Sequence, residues 1–230
     1  MKILIGGSGN MAKEMEAVCK RLGIACLTVS GSFERHLPAH IDLREEFVVV
    51  NFGSKRTLPD LKKVCLKYDI PLIHGSSHPV KWPSRMFVIE APNLSIPVIQ
   101  TLNVLPDLVR GLDMSTKRIV ESHQSSKKGI SATTGIIARH AGVPQESIVS
   151  IRDKNLQIHM GVPKQHLDAH AYHSLTLENS DVEISISIKV HGRSTYAEGA
   201  INIAKIILTK RKDLKPGVYK FDEIYKLLCQ

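Results

Sequence analysis

Short apolar segments alternate with amphipathic ones over the first 95 residues of the chain. Segments 11–22 and 58–68 carry apolar residues at helical spacing. Around them lie short apolar runs that are typical of buried strands, at 2–5, 24–29, 47–52, 71–73 and 86–89. Because strands and helices alternate, we expect right-handed crossovers and a mostly parallel sheet.

The pattern changes near residue 95, and this change predicts a second domain. Segment 182–190 alternates apolar and polar residues with period two, which indicates a strand with one solvated face in an antiparallel or mixed sheet. Strand-like segments also lie at 148–158 and 171–177. Helical spacing recurs at 96–112, 135–140, 198–208 and, at the end of the chain, 221–228.

A glycine-rich turn joins the first predicted strand to the first helix. Gly6 permits a tight turn, and Gly9 would let a pyrophosphate approach the helix N-terminus, where N–H groups and the helix dipole favour an anion. The turn therefore predicts a dinucleotide site, although a purely structural turn could carry the same glycines. After the second strand, Ser30 stands in place of the usual ribose-binding acid. A 2′-phosphate would meet no carboxylate there, which favours NADPH and leaves NADH open.

The polar segment 119–135 is the main candidate for chemistry. It runs from a strand through a loop into a helix, and it contains His123, Lys127 and several hydroxyl side chains. Histidine can donate a proton near neutral pH, lysine can bind or protonate an anionic substrate, and hydroxyl groups before a helix can bind a carboxylate. An exposed basic loop with a threonine N-cap is the alternative interpretation.

Composition narrows the possible partners. The chain has 31 Lys and Arg against 22 Asp and Glu, and this net charge of +9 suits a phosphate-bearing cofactor, a dicarboxylate or nucleic acid. Nucleic acid is disfavoured because the basic run 210–212 has no clustered aromatic residues beside it. The cysteines lack C-x-x-C spacing and the histidines have few acidic neighbours, so we expect no metal site. No apolar window approaches the roughly 20 residues of a membrane span, and we expect a cytoplasmic protein.

Over nearly its full length the chain resembles the 4-hydroxy-tetrahydrodipicolinate reductase (dihydrodipicolinate reductase) family. The family pattern E-x-H-H-x-x-K-x-D-A-P-S-G-T is matched in register by Glu121, His123, Lys127 and Thr134. The family turn G-x-x-G-x-M is matched by Gly6, Gly9 and Met11. Further similar segments are Asn51-Phe52, Gly75-Ser76-Ser77, 91–95, His173, Glu183-Ile184, Arg193, 197–200 and 217–219.

The chain also departs from the family pattern. Gln124 replaces the second histidine, and glutamine cannot carry a proton. The D-A-P stretch is Gly129-Ile130-Ser131, and the S-G-T carboxylate clamp is Ala132-Thr133-Thr134. The first hypothesis is a divergent reductase. The alternative is a reductase-like nucleotide-binding protein with an altered substrate or without turnover.

The resemblance implies an α/β fold in two domains. A Rossmann-type parallel-sheet domain (1–95 with 209–230) would bind the dinucleotide. An α+β domain (96–208) with a mixed, largely antiparallel open sheet would bind substrate and form a homotetramer. The implied activity is NAD(P)H-dependent reduction of 4-hydroxy-tetrahydrodipicolinate, a dicarboxylate, to tetrahydrodipicolinate in diaminopimelate and lysine biosynthesis.

The resemblance also implies roles for individual residues. The catalytic pair would be His123 and Lys127. The substrate would be bound by Gln124, Thr133 and Thr134, with His173 facing the same pocket. The NADPH or NADH cofactor would be bound by Gly6, Gly9, Asn10, Met11, Ser30, Phe52, Gly75, Ser76, Ser77 and Asn93.

Overall fold

The computed structural model describes residues 1–36, 46–76, 80–220 and 223. The chain forms two compact units, one made of residues 1–96 with 194–230 and the other of residues 97–193. The N-terminal part of the first unit contains β1 (Lys2–Gly6), α1 (Asn10–Arg21), β2 (Ala25–Val29), α2 (Phe33–His36), β3 (Phe47–Asn51), α3 (Leu58–Tyr68), β4 (Leu72–His74) and β5 (Phe87–Glu90).

The second unit begins with α4 (Ile96–Val109), whose first residue lies at the boundary. Its other elements are β6 (Thr116–His123), α5 (Ala132–Ala141), β7 (Val149–Ile151), α6 (Lys154–His159), β8 (Ala171–Glu178) and β9 (Glu183–Val190). The chain then returns to the first unit with α7 (Ser194–Lys210) and β10 (Gly217–Tyr219).

The first unit is built on a parallel six-stranded sheet of order β10-β5-β4-β3-β1-β2. All five residues of β3 are buried, as expected for a strand covered on both faces. The predicted alternation of buried strands and helices is therefore confirmed. Strand β10 is an addition that the sequence pattern did not indicate, since it has only three residues and starts at a glycine.

The return to the first unit occurs at residue 194 rather than at residue 209, the boundary that we predicted. The physical reason is the apolar face of α7, which shares one core with α1 and the sheet through Ala197, Ala200 and Ala204. Close approach is also required at Gly199, where an added Cβ would lie 1.7 Å from the Leu94 carbonyl oxygen. Helical spacing predicted the helix, but spacing alone does not identify the surface that the helix covers.

The second unit contains a four-stranded sheet of order β7-β6-β8-β9. Strands β6 and β7 are parallel and the other pairs are antiparallel, which confirms a mixed, largely antiparallel sheet. The strand predicted over 148–158 is wrong in its second half, where α6 begins. The Asp153 side chain accepts the N–H groups of Asn155 and Leu156 at 2.9 and 3.0 Å and so caps that helix.

Two further predictions concern the end of the chain and membrane-spanning helices. The helix expected at 221–228 lies outside them except for residue 223. Within the part of the chain that the structure describes, no helix combines the length and apolar character needed to cross a membrane.

Candidate functional site

Three of the predicted cofactor residues lie together at the carboxyl edge of the sheet in the first unit. Strands β1, β3 and β4 are parallel and end there at Gly6, Asn51 and His74. The Phe52 N–H donates to the Gly6 carbonyl at 2.8 Å, and the Gly75 N–H donates to the Asn51 carbonyl at 3.0 Å. The edge therefore brings Gly6, Phe52 and Gly75 together, at the side of a parallel sheet where ligands generally bind.

The two outer glycines of the turn have different surroundings. An added Cβ at Gly6 would lie 2.7 Å from Asn51 Oδ1, so a side chain there would displace the buried Asn51 side chain. An added Cβ at Gly9 would meet nothing within 4 Å, and the backbone at Gly9 has an ordinary φ of −79°. Gly9 is the N-cap of α1 and provides no side-chain cap, and the first turn of the helix has no acidic residue. This helix N-terminus fits an anion such as a pyrophosphate.

The other predicted cofactor residues differ in how far they are exposed to solvent. Asn10 is the exposed first residue of α1, Met11 is half-buried behind it, and Ser30 is exposed just after β2. Ser76 is half-buried after Gly75, while Ser77 lies outside the described residues. Asn93 is buried, and its Oδ1 accepts the Ser95 N–H at 2.9 Å.

In the second unit, the Glu121 carboxylate on β6 is fully buried and accepts hydrogen bonds from four protein donors. Its Oε2 accepts the Thr134 hydroxyl at 2.6 Å and the Ser131 N–H at 3.0 Å. Its Oε1 accepts the Ser150 hydroxyl at 3.0 Å and an Arg152 N–H. Burial alone would raise the pKa of Glu121, but these hydrogen bonds outweigh it and lower the pKa to about 2. Glu121 is therefore an anion at neutral pH that can only accept hydrogen bonds.

The hydrogen bonds of the Thr134 hydroxyl determine which ring nitrogen of the neighbouring His173 carries the proton. The Thr134 hydroxyl has one proton, and this proton goes to Glu121 because the carboxylate has none to give. The His173 Nδ1 lies 2.9 Å from the same hydroxyl oxygen, so Nδ1 must be the donor of that bond. His173 is thus held as the Nδ1–H tautomer, which leaves a lone pair on its Nε2.

The two histidines of this cluster are neighbours in the interior. The ring centroids of His123 and His173 lie 5.1 Å apart at an interplanar angle of 64°. His123 Nε2 is 3.8 Å from Glu121 Oε2, and it is buried with no hydrogen-bond partner among the described residues. Burial, followed by the neighbouring His173, lowers the pKa of His123 to about 3, and burial lowers the pKa of His173 to about 4.

These pKa values correct one expectation from the sequence. We expected His123 to keep the ordinary histidine pKa of about 6.5, which would let it donate a proton near neutral pH. In the folded protein without ligand, both His123 and His173 are neutral at pH 7, because the dry interior disfavours the imidazolium.

Glu121, His123 and His173 also have the spacing of a metal site, since one ligand atom from each lies within 4.8 Å of the others. The surroundings do not suit a cation. Both carboxylate oxygens are already occupied by two donors each, and the Arg152 guanidinium lies against one of them. A divalent ion would have to displace these donors beside a positive charge.

The other predicted substrate residues lie on the loop after β6 and on α5. Gln124 and Lys127 are half-buried on the loop, and the Lys127 N–H donates to the Gln124 carbonyl at 2.9 Å. Thr133 is buried in the first turn of α5. Thr134 is fully buried, and its hydroxyl already bonds to Glu121, so the structure does not support a clamp made by that hydroxyl.

Four residues of the cluster were missed by sequence reasoning. Ser131 is the N-cap of α5, where its Oγ accepts the Thr134 N–H at 3.1 Å. Ser150 and Arg152 reach Glu121 from β7 and the residue after it. Gln157 on α6 donates to the His123 carbonyl at 2.6 Å. The one available signal was the S-x-x-T spacing of Ser131 and Thr134 before a helical segment.

Comparison with known proteins shows which family this chain is similar to. The family model described as dihydrodipicolinate reductase, C-terminus, matches residues 98–225. The chloroplastic 4-hydroxy-tetrahydrodipicolinate reductase 1 of Arabidopsis thaliana is 26% identical over 237 residues, covering 93% of this chain and 66% of the relative. The 4-hydroxy-tetrahydrodipicolinate reductase of Alkaliphilus oremlandii is 27% identical over 206 residues, covering 79% of this chain and 80% of the relative.

A solved structure shows the same fold. The dipicolinate-bound dihydrodipicolinate reductase from a Paenisporosarcina species matches with a TM-score of 0.66 at 12% identity, over 96% of this chain and 97% of that one. The chain spans 66% and 64% of the lengths of the two Arabidopsis thaliana relatives that it matches. Because the family model covers more than half of its residues, the chain belongs to the dihydrodipicolinate reductase family.

Proposed function

We propose that the chain reduces 4-hydroxy-tetrahydrodipicolinate to tetrahydrodipicolinate with NADPH or NADH, a step of diaminopimelate and lysine biosynthesis. The observation that carries the proposal is the buried Glu121 carboxylate, which organises His123, His173 and Thr134 at the end of β6. This cluster adjoins the loop that carries Lys127. Relatives named for this activity support the assignment.

The first unit would bind the dinucleotide at the carboxyl edge of its sheet. We assign the pyrophosphate to the N-terminus of α1, next to Gly6, Gly9, Asn10 and Met11, because this helix end has neither a side-chain cap nor an acid. Ser30 would lie near the ribose, and the nicotinamide end would be bound by Phe52, Gly75, Ser76, Ser77 and Asn93. When bound, the cofactor supplies the hydride, and the protein supplies orientation and charge.

The second unit would bind the dicarboxylate substrate. Lys127 provides a cation, and the N-terminus of α5 around Thr133 provides the N–H groups that favour an anion. Gln124 can add a hydrogen bond but no proton. Thr134 would act through Glu121 and His173 rather than by touching the substrate.

Proton delivery would depend on substrate binding. A dianionic ligand beside His123 stabilises the imidazolium, and it therefore raises the pKa of a histidine that burial keeps neutral in the free protein. His123 would take up a proton as the substrate binds and transfer it to the substrate as the hydride adds, while the 4-hydroxyl group leaves as water. Lys127 would hold a carboxylate and stabilise the developing negative charge.

The test is oxidation of NADPH and NADH, side by side, with 4-hydroxy-tetrahydrodipicolinate generated by the preceding aldolase step. Substrate-dependent oxidation of either nucleotide supports the proposal, and the ratio of the two rates assigns the cofactor. Tight nucleotide binding without oxidation would instead favour the nucleotide-binding protein without turnover. Oxidation with a different cyclic imine dicarboxylate alone would favour an altered substrate.

We also propose a homotetramer. In the second unit, β9 is an edge strand whose first seven residues alternate between exposed and half-buried positions, and whose last residue, Val190, is buried. Light scattering of the purified chain would measure the assembly directly, and a monomer would contradict the proposal.

A further inference from the structure

We propose that Arg152 is a positioning residue, which ties the backbone of the Lys127 loop (residues 124–130) to the Glu121 carboxylate. The inference rests on the proposed function, because it names a residue that places Lys127 for that reaction. Arg152 itself touches backbone carbonyls and a buried carboxylate, and it acts on the chemistry through Lys127.

The position of Arg152 follows from the pairing of β6 with β7. The two strands are parallel, with Glu121 opposite Ser150 and Ser122 opposite Ile151. Arg152 comes directly after β7, so its side chain starts one residue beyond the Ser122–Ile151 pair and reaches back to Glu121. This register brings together two residues that are 31 positions apart in the sequence.

The guanidinium bonds to the loop at two points. Its Nε donates to the Lys127 carbonyl at 3.2 Å, and its Nη2 donates to the Gly129 carbonyl at 3.0 Å as well as to Glu121. Its Nη1 donates to the Ile151 carbonyl at 3.0 Å. The Lys127 and Gly129 carbonyls, on either side of residue 128, therefore accept hydrogen bonds from the same side chain.

The loop that these bonds hold has a defined backbone conformation. Gly129 has a φ of +67°, a left-handed conformation that favours glycine, and the Lys127 N–H closes a turn onto the Gln124 carbonyl. Without Arg152, the Lys127 and Gly129 carbonyls would lose the one side chain that joins them to Glu121. A lysine at this position could neutralise Glu121, but its single ammonium could not reproduce the planar fork that spans the carboxylate and both carbonyls.

Arg152 also determines which cation pairs with Glu121. Among the contacts of the described residues, the carboxylate is paired with Arg152 and not with Lys127. Lys127 lies in the same loop and would otherwise be attracted to a buried anion. Arg152 thus satisfies Glu121 and leaves the Lys127 ammonium available for a substrate carboxylate.

The experiment compares Arg152→Lys with a matched control, Arg110→Lys, at an exposed arginine of the same unit that pairs with Asp107 at 2.8 Å. The first readout is amide hydrogen exchange of the peptide covering residues 124–130. We expect exchange in this loop to be about tenfold faster in Arg152→Lys and unchanged in Arg110→Lys. Unchanged exchange in Arg152→Lys would overturn the proposal. Thermal unfolding confirms that both variants are folded.

The second readout is a double-mutant cycle on kcat/KM with Lys127→Ala. Misplacement of a substrate-binding group by about 1 Å can cost about 100-fold, so we expect Arg152→Lys to lower kcat/KM by roughly 10- to 100-fold. If Arg152 acts through Lys127, the double variant will be no worse than Lys127→Ala within about twofold. Additive losses would overturn the proposal. If the wild-type chain shows no reductase activity, the proposed function fails, while loop exchange still decides the role of Arg152.

Discussion

The Thr134 hydroxyl donates to the Glu121 carboxylate across 2.6 Å, in a position where both side chains are fully buried. The bond reverses the role that the sequence suggested for Thr134. A hydroxyl whose proton is held by an internal carboxylate has none left for a substrate carboxylate. Thr134 instead connects Glu121 to His173 and sets the protonation state of the cluster.

Thr134→Val is expected to destabilise the protein and to lower kcat more than it raises KM. The change leaves Glu121 short of one donor and His173 Nδ1 without an acceptor, and an unsatisfied buried group costs about 1–3 kcal/mol. Thr134→Ser, which retains the hydroxyl, is the control and should remain near wild type. Urea unfolding and steady-state kinetics measure both effects. A raised KM with unchanged kcat and stability would restore the clamp hypothesis for this hydroxyl.

His173 is expected to be the Nδ1–H tautomer at neutral pH. Glu121 can only accept, Thr134 donates to it, and His173 Nδ1 must therefore donate to Thr134. Nitrogen-15 NMR of labelled histidine distinguishes the two ring nitrogens by their chemical shifts. A protonated Nε2 on His173 in the wild type would contradict the hydrogen-bond assignment, whereas Thr134→Val should let the two tautomers mix.

Stability is expected to fall as the pH drops below about 6.5, the pKa of an unperturbed histidine. In the folded protein the pKa values of His123 and His173 are lowered to about 3 and about 4, so the unfolded chain binds protons that the folded chain excludes. The pKa of Glu121 is lowered to about 2, so protonation of this carboxylate causes a further loss of stability at more acidic pH. The three groups together make the unit increasingly unstable between about pH 6.5 and pH 3.

The control for this pH dependence is a histidine on the surface. His123→Gln should reduce the slope of unfolding free energy against pH by up to about 1.4 kcal/mol per pH unit. His140→Gln, at an exposed position on α5, is the matched control for the loss of a histidine. Urea unfolding at a series of pH values measures the slope. An equal slope in wild type and His123→Gln would mean that His123 is not held neutral.

Gly9→Val is expected to abolish nucleotide binding while leaving the fold intact. An added Cβ at Gly9 meets no protein atom within 4 Å, so its effect would fall on a ligand that approaches the backbone. Gly217→Val is the matched control, since its added Cβ also meets nothing within 4 Å, and it lies in β10 away from the glycine turn. Nicotinamide fluorescence measures binding. A folded Gly9→Val protein with wild-type affinity would make the glycine turn purely structural.

The parts predicted from the sequence are those determined by local patterns. The apolar run Val48–Val50 is buried on both faces and could be recognised as a central strand. The glycine turn and the polar segment after β6 were also recognisable, because their residue types carry local geometry and chemistry. Secondary structure was wrong where one side chain redirected the backbone, as Asp153 does at the start of α6.

The parts that could not be predicted depend on register between distant segments. Arg152 meets Glu121 only because β7 pairs with β6 in one particular alignment, and sequence spacing does not contain that alignment. Gln157 reaches the His123 carbonyl only because α6 replaces a predicted strand. The lowered pKa of His123 likewise follows from burial by residues that the sequence does not place next to it.

The most direct test of the account is the rate of NAD(P)H oxidation by wild type and by His123→Ala with 4-hydroxy-tetrahydrodipicolinate as substrate. We predict substrate-dependent oxidation by the wild type. A positioned general acid typically contributes about 10²- to 10⁴-fold, so kcat should fall by that factor in His123→Ala while nucleotide affinity stays unchanged. Absence of oxidation by a folded wild-type protein that binds nucleotide would contradict the proposed function. A His123→Ala variant with wild-type kcat would contradict the assignment of His123 as the proton donor.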